Sequence, residues 1–534
     1  STRVAYISDD VLWSVPITGG APTLVMPPAW LVTGGTVNSV ATIPGTNLLL
    51  FEGRDPSLSY DALYRVTPLG AGLTALTFSN SVDDYRVNSS GSHAIYKHLN
   101  GIYSVKLSGT PAVIPLAGTA SSNLLYDVAL TPDGNTVIFA AENSNSLLSL
   151  FTVPVTGGTP AEIITSGLNQ GLFFDSFQLS LDGNHVVYFE DWEHLYAVPT
   201  SGGAAVLLSE TASGFYQIWA GAGHVAFMHD ENGVGKDELM VADLSTGTRQ
   251  LILADSDIYS PQMSPDGSKI FFGATGSKLY ETAMDGSFTI ELSSSSTSLD
   301  TSTNICLNGT TTKVFAASSA QDTAHVATAG AAGSASLLPN TVPAKPGRAT
   351  IPLVSPDERY VAYVSQETTA GEYHLYLASA DGGSAVMLTS LAYSDSSTSE
   401  QAAAPCQFTK DSRWVVFWDN ASHATISAYR IADGLRVVLS DPSKASSLAA
   451  IREIQNDVLF ITDGELWRHP LDGTSGTAEN LTAGLMKEIS SFENISPDGT
   501  QALIFTTDRD LILITLDGTT ATATVKTYTS YRST

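Results

Sequence analysis

Tyr126-Asp127-Val128-Ala129-Leu130-Thr131-Pro132-Asp133-Gly134-Asn135-Thr136-Val137-Ile138-Phe139-Ala140 is the stretch whose reading decides the fold. Two apolar runs flank a four-residue break in which each residue has a mechanical part. Thr131 opens a turn, Pro132 fixes φ, Asp133 bonds its own backbone, and Gly134 accepts the positive φ of a tight hairpin. Variants stand at Ser180-Leu181-Asp182-Gly183, Ser264-Pro265-Asp266-Gly267, Ser355-Pro356-Asp357-Glu358 and Ser496-Pro497-Asp498-Gly499. The run after Gly134 is continuously apolar, as in a strand covered on both faces. Leu150-Phe151-Thr152-Val153-Pro154-Val155 follows and ends in Thr156-Gly157-Gly158. Ala161-Glu162-Ile163-Ile164 then closes the unit as a short, polar outer strand.

The same rhythm recurs in both directions. Third strands begin Leu12-Trp13, Leu63-Tyr64, Ile102-Tyr103, Leu195-Tyr196, Leu279-Tyr280, Leu375-Tyr376, Leu466-Trp467 and Leu511-Ile512, each followed by a glycine turn. Such a pair puts one bulky apolar group on each face of a strand. A turn at a fixed place in a unit of about 40–50 residues marks propeller blades. The predicted fold is therefore all-β, a β-propeller of about twelve four-stranded blades. The weak copies, 215–253, 304–338 and 451–481, have lost the Pro-Asp-Gly turn. One ring of that size would leave an unfilled channel, so two tandem six-bladed rings are expected, 1–256 and 257–534. The stretches 293–302 and 339–348 are alternative linkers that allow a seven-plus-five division. The first unit begins at its second strand, and 522–529 reads as an ordinary fourth strand.

Composition narrows the function. The 53 carboxylates outnumber the 25 Lys and Arg and give a net charge of −28. An acidic surface repels phosphate backbones and anionic headgroups, so neither nucleic acid nor membrane insertion is expected. The chain has no run of about eighteen apolar residues. Ser1-Thr2-Arg3-Val4-Ala5-Tyr6 goes directly into a strand without a signal peptide's apolar stretch, so either a leader has been removed or the protein is cytoplasmic. The acidic, Lys-poor, Ser/Thr-rich balance favours a secreted, periplasmic or cell-surface protein of a bacterium. Cys306 and Cys406, the two cysteines, both fall on inner strands of non-adjacent units. They are expected to be free and buried, since a bridge needs Cα atoms within about 7 Å.

Strand, Ser-Pro-Asp-Gly, apolar strand, then Leu-Tyr with a trailing Gly-Gly resembles the TolB-type propeller repeat over nearly the whole chain. That resemblance implies six- or seven-bladed rings whose channel and loop faces bind proteins, peptides or sugars. Peptidases with similar propellers carry a separate α/β-hydrolase domain, and no stretch here reads as one. Oligogalacturonide lyases share the propeller but need clustered His ligands, which the sequence does not show.

No catalytic residue, metal ligand or cofactor is assigned. Gly473-Thr474-Ser475-Gly476-Thr477 fails as a nucleophile elbow at its last position. Gly233-Val234-Gly235-Lys236-Asp237 lacks both the upstream Gly and the Ser/Thr of a phosphate loop. His224 and His229 stand five apart on one strand and point to opposite faces. One hairpin, Glu190-Asp191-Trp192-Glu193-His194, crowds acids, a Trp and a His at a tight tip. Asp191, Trp192, Glu193 and His194 suit a basic peptide or a sugar face. His229, Asp230 and Glu231 form a comparable tip in the following unit, and together the two would make a contact patch. The plainer account, two solvated hairpins, is preferred.

The reading that follows is a non-catalytic recognition or scaffold protein that binds a protein partner or itself. A carbohydrate-active lyase or hydrolase with its site at a channel mouth is the alternative, with a glycan as ligand. A small-molecule or metal-binding propeller is a third possibility.

Overall fold

The computed structural model describes residues 3–8, 10–16, 23–77, 82–98, 101–117, 125–143, 148–164, 177–189, 194–210, 215–229, 237–294, 303–307, 310–318, 323–338, 353–365, 372–381, 384–392, 406–419, 425–441, 443–444, 446–452, 456–472, 477–483, 488–495, 501–507, 511–516 and 526–528. Among the described residues strands dominate, with one short helix, Pro28–Thr33. They form twelve antiparallel sheets: sheet 1 (3–24), 2 (36–75), 3 (84–117), 4 (125–162), 5 (177–210), 6 (215–256), 7 (258–291), 8 (303–337), 9 (353–392), 10 (406–438), 11 (446–480) and 12 (489–528). Eleven sheets hold four strands in sequence order, called A to D here from first to last. Sheet 1 has three among the described residues, at the B, C and D positions. Lys526–Tyr528 is the D strand of sheet 12 and pairs with Leu511–Thr515. The chain divides into two compact units, Ser1–Pro16, Gly20–Asp255 and Met284–Gly286 in one, Ile17–Gly19, Ser256–Ala283 and Ser287–Thr534 in the other. Sheets 1–6 belong to the first unit and 7–12 to the second, apart from the short exchanged segments. The architecture is that of tandem β-propellers. The alternative linker 339–348, most of 293–302, and the turn 496–499 lie outside the described residues.

Within each unit, consecutive sheets share a cluster of buried side chains. Sheets 2 and 3 meet through Ile43, Leu50, Leu63, Leu76, Ala94, Tyr96 and Val105. Sheets 9 and 10 meet through Ala362, Val364, Leu375, Leu377, Cys406 and Phe417. The Leu-Tyr pair works on both sides of its strand. In Ala62–Val66, Leu63 faces sheet 3 and Tyr64 faces sheet 1. The tyrosine, or in sheet 4 the phenylalanine Phe151, finds an aromatic ring directly opposite on strand B. Phe51–Tyr64, Tyr96–Tyr103, Phe139–Phe151, Tyr188–Tyr196, Phe272–Tyr280 and Tyr363–Tyr376 are all stacked pairs. Each fully buried Leu contributes about 1.5–3 kcal/mol, and each ring pair about 0.5–1.5 kcal/mol more.

The A–B turn is a small hydrogen-bond machine. In sheet 4, Thr131 Oγ1 donates to Asp133 Oδ1 at 2.6 Å and accepts the Thr136 N–H at 3.1 Å. Asp133 Oδ1 also accepts the Asn135 N–H at 3.0 Å, and Gly134, at φ 71°, donates its N–H to Thr131 O. Ser180, Ser264 and Ser355 repeat the pattern with Asp182, Asp266 and Asp357. A further copy, absent from the sequence reading, is Thr409-Lys410-Asp411-Ser412, with Ser412 at φ 56°. Turns of neighbouring sheets also touch. Asn88 Nδ2 donates to Gly134 O at 3.1 Å, and the Asp357 N–H donates to Ser412 Oγ at 2.9 Å.

A second device closes the other end of the unit. Strand D is followed directly by a buried Leu and a buried hydroxyl residue, as in Leu76-Thr77, Leu439-Ser440 and Leu481-Thr482. The hydroxyl accepts a strand C amide: Leu63 N–H to Thr77 Oγ1 at 3.0 Å, Ile426 N–H to Ser440 Oγ at 2.8 Å, Leu466 N–H to Thr482 Oγ1 at 2.9 Å. Strand D can therefore stay as short as the two residues Glu479–Asn480 while strand C keeps its hydrogen bonds. A short outer strand leaves little open edge for unwanted pairing.

Candidate functional site

The meander order places A–B and C–D turns at one end of each sheet, and the B–C hairpin at the other. The sequence-predicted hairpin residues belong to that second end of sheets 5 and 6. Asp191, Trp192, Glu193, Asp230 and Glu231 lie outside the described residues. His194 opens strand His194–Pro199, half-buried, opposite Glu210 in register, with its ring 6.4 Å from that of Tyr196. His229 ends strand His224–His229 and is buried rather than presented to solvent. Its Nε2 lies 3.4 Å from Glu238 Oε2, and its ring meets Phe227 edge-on. His224 also faces a carboxylate, Asp243, at 3.8 Å. The two strand histidines are thus each placed against an acid on the neighbouring strand.

The buried carboxylates among the described residues are Glu238, Glu281 and Asp457. Glu281 accepts Lys269 Nζ at 2.6 Å and the Gly330 N–H from sheet 8. Asp457 takes a two-pronged ion pair from Arg452, itself 1% exposed. A fourth acid, the partly buried Asp419, gathers Thr389, Ser427 and Arg436. Burial opposes its ionisation, yet these donors outweigh it and hold the carboxyl below the usual range. Among the described residues, no group of three or more His, Cys, Asp and Glu is arranged to hold a metal ion. Cys406 is a free thiol in the core between sheets 9 and 10, and burial pushes it up to about 12. That leaves it an apolar filler rather than a nucleophile. Cys306 lies on strand Thr303–Leu307, and its side chain is outside the described residues.

An opening not singled out by the sequence reading lies between the inner strands of sheets 3 and 4. Asp84, Tyr85, Arg86, Ile95, Tyr96, Lys97, Val128 and Leu130 line it. Register fixes which way they face. Arg86 pairs with Ile95 and Asp84 with Lys97, so these four share one face of the sheet. Ile95 belongs to the cluster shared with sheet 4, which identifies that face. Tyr85 and Tyr96 take the opposite face, toward sheet 2, where Ser39 Oγ donates to the Tyr85 hydroxyl oxygen at 3.2 Å. Arg86 Nη1 donates to Val128 O across the gap at 3.4 Å. In sheets 5 and 6 the corresponding Gln178 Oε1 accepts the Ala220 N–H at the same distance. In sheets 3 and 5 the residue two before the turn thus stitches one inner strand to the next. The signal in sequence was a break in the repeat, which a search for known motifs passes over.

No family model matches the chain, and no curated protein matches it in sequence. Solved structures do match in fold. A eukaryotic initiation factor shares 12% identity over 71% of this chain and 92% of its own, with a TM-score of 0.37. The tricorn protease shares 11% over 99% of this chain, which spans 57% of the protease chain, with a TM-score of 0.30. An oligogalacturonate lyase in complex with manganese shares 13%, covering 82% and 97%, with a TM-score of 0.28. At such identities the likeness concerns fold alone. No described helix is long and apolar enough to cross a membrane.

Proposed function

We propose that this chain is a non-catalytic recognition or scaffold protein that works outside the cytoplasm. It binds a protein partner, or a second copy of itself, through the loop-bearing ends of its propellers. The observation that carries this reading is the commitment of the buried acids. General acid–base chemistry needs a carboxylate or imidazole aimed at an opening. Glu238, Glu281 and Asp457 instead each face a cationic side chain or histidine of their own sheet. The repeated hairpins at one end of every sheet supply a surface that can vary without disturbing the core.

Cross-linking in the native source, followed by rebinding of the purified partner or by light scattering of the chain alone, tests the proposal. Saturable binding or a defined oligomer is the expected result. Release of an unsaturated product from oligogalacturonate with manganese present, or of peptide fragments from a protein substrate, would overturn it in favour of an enzyme.

A further inference from the structure

We propose that the recess between sheets 3 and 4 binds a small organic carboxylate, with Arg86 as the anchor and Lys97 as the second cation. The inference goes beyond the recognition reading and does not depend on it.

The internal repeat shows what is unusual here. Arg86 stands two residues before the turn residue Asn88, on a strand paired through Ile95. The same place holds Ala129, Gln178, Gln262, Leu353 and Gln407 in sheets 4, 5, 7, 9 and 10. Lys97 stands two residues beyond Ile95 on the second strand. Its counterparts are Ala140, Phe189, Gly273, Val364 and Trp418. Five sheets therefore carry neutral residues at both places, and sheet 3 carries a cation at each. Strand alternation turns both toward sheet 4. The opening lies where these two side chains meet the inner strand of sheet 4.

A cation pair at an opening is not sufficient by itself, since solvated basic residues are common. Two further facts favour a ligand. Among the described residues Arg86 makes a single, long hydrogen bond to Val128 O and no ion pair, although Asp84 is two residues away. A guanidinium has five N–H donors in a planar fork that matches a carboxylate bidentately. Most of that fork is uncommitted. Behind it the wall is apolar, built from Ile95, Val128 and Leu130. Cations at the rim and aliphatic groups behind fit a single carboxylate on a short apolar or aromatic body. Asp84, opposite Lys97 in register, disfavours a second negative charge.

The probe is benzoate, with benzamide as its uncharged isostere, titrated into the full chain by calorimetry. Benzoate is expected to saturate one site while benzamide does not. Arg86→Gln should weaken benzoate by about tenfold or more, since a charge-assisted bidentate contact is lost. Asp84→Asn should tighten it several-fold. Arg86 is exposed, so its replacement spares the core; if that variant fails to fold, Lys97→Gln takes its place with the same expected direction. No benzoate binding, equal binding of benzamide, or benzoate binding unchanged by the folded Arg86→Gln variant (or its Lys97 substitute) would overturn the proposal.

Discussion

The corner between the first two strands is built in two ways, and the contrast separates local from global control. In sheets 4, 5, 7, 9 and 10 it is a loop in which a buried hydroxyl bonds a neighbouring carboxylate and backbone amides. In sheet 11 the strands Ser446–Arg452 and Asp457–Thr462 end in a buried ion pair, with Asn456 at φ 54°. The first kind of corner depends on residues within six positions of one another. Its bonds join uncharged hydroxyls and amides to a carboxylate at the surface, so losing one costs about a single net hydrogen bond. The second depends on both charges being present in a dry interior, where a lone ion has no compensation.

Breaking the sheet 11 corner should have the largest effect. Arg452→Met leaves the Asp457 carboxylate buried alone and should cost about 3–5 kcal/mol. The double variant Arg452→Met, Asp457→Leu should recover most of that loss in denaturant unfolding followed through the second unit. A single variant as stable as the wild type would mean that the pair is not buried in solution.

Next comes the backbone of a hydroxyl–carboxylate corner. Gly134 has φ 71°, and a Cβ there would lie 2.6 Å from Ser89 Oγ and 2.9 Å from Ser89 N on the preceding turn. Gly134→Val should destabilise the first unit by at least about 1–3 kcal/mol, the usual cost of forced left-handed backbone. Gly267→Val, at φ 68°, should act in the same direction in the second unit. Thermal unfolding unchanged by both would contradict the turn geometry.

Smaller still is the hydroxyl. Ser180 Oγ donates to Asp182 Oδ1 and accepts the His185 N–H. Ser180→Ala should cost about 1 kcal/mol, one net hydrogen bond.

The smallest effect is titration. Thr131 and Ser264 hydrogen bonds hold Asp133 and Asp266 below the ordinary carboxylate range. The Ser245 hydroxyl and the neighbouring amides lower Asp243 to about 2. A folded value below the unfolded one means that the native state favours the ionised form. The stabilisation is therefore fully present above the unfolded value of about 4 and is lost as pH falls toward the folded one. Thermal midpoints should be flat near neutrality and fall between about pH 4 and 2, with Ser180→Ala flattening that fall through Asp182. A midpoint that rose on acidification would reverse the assignment.

Much of the fold was legible because its determinants are short-range. Thr131 to Thr136 contains the whole turn, and Leu63-Tyr64 announces both faces of its strand. Even the degenerate units at 215–253 and 451–481 kept their strand rhythm. The copy at Thr409–Ser412 escaped notice because Lys410 and Ser412 replace Pro and Gly, while the bonding hydroxyl and carboxylate remain. The Leu-Thr and Leu-Ser closures escaped too, since a buried hydroxyl serving a strand C amide looks like an ordinary polar residue. Of the hairpin candidates, His194 and His229 are placed, and His229 is inside the core.

The sequence by itself determined the strand rhythm and most of the turns, because a turn is settled by hydrogen bonds and φ preferences within about six residues. Only the tertiary structure decided what the alternating faces meet. Arg86 reaches Val128 and Gln178 meets Ala220 across 42 residues of chain, and Glu281 meets Gly330 across 49. No local pattern records such meetings. They follow from sheets packing side by side, which fixes the neighbour of every face only after the unit has assembled.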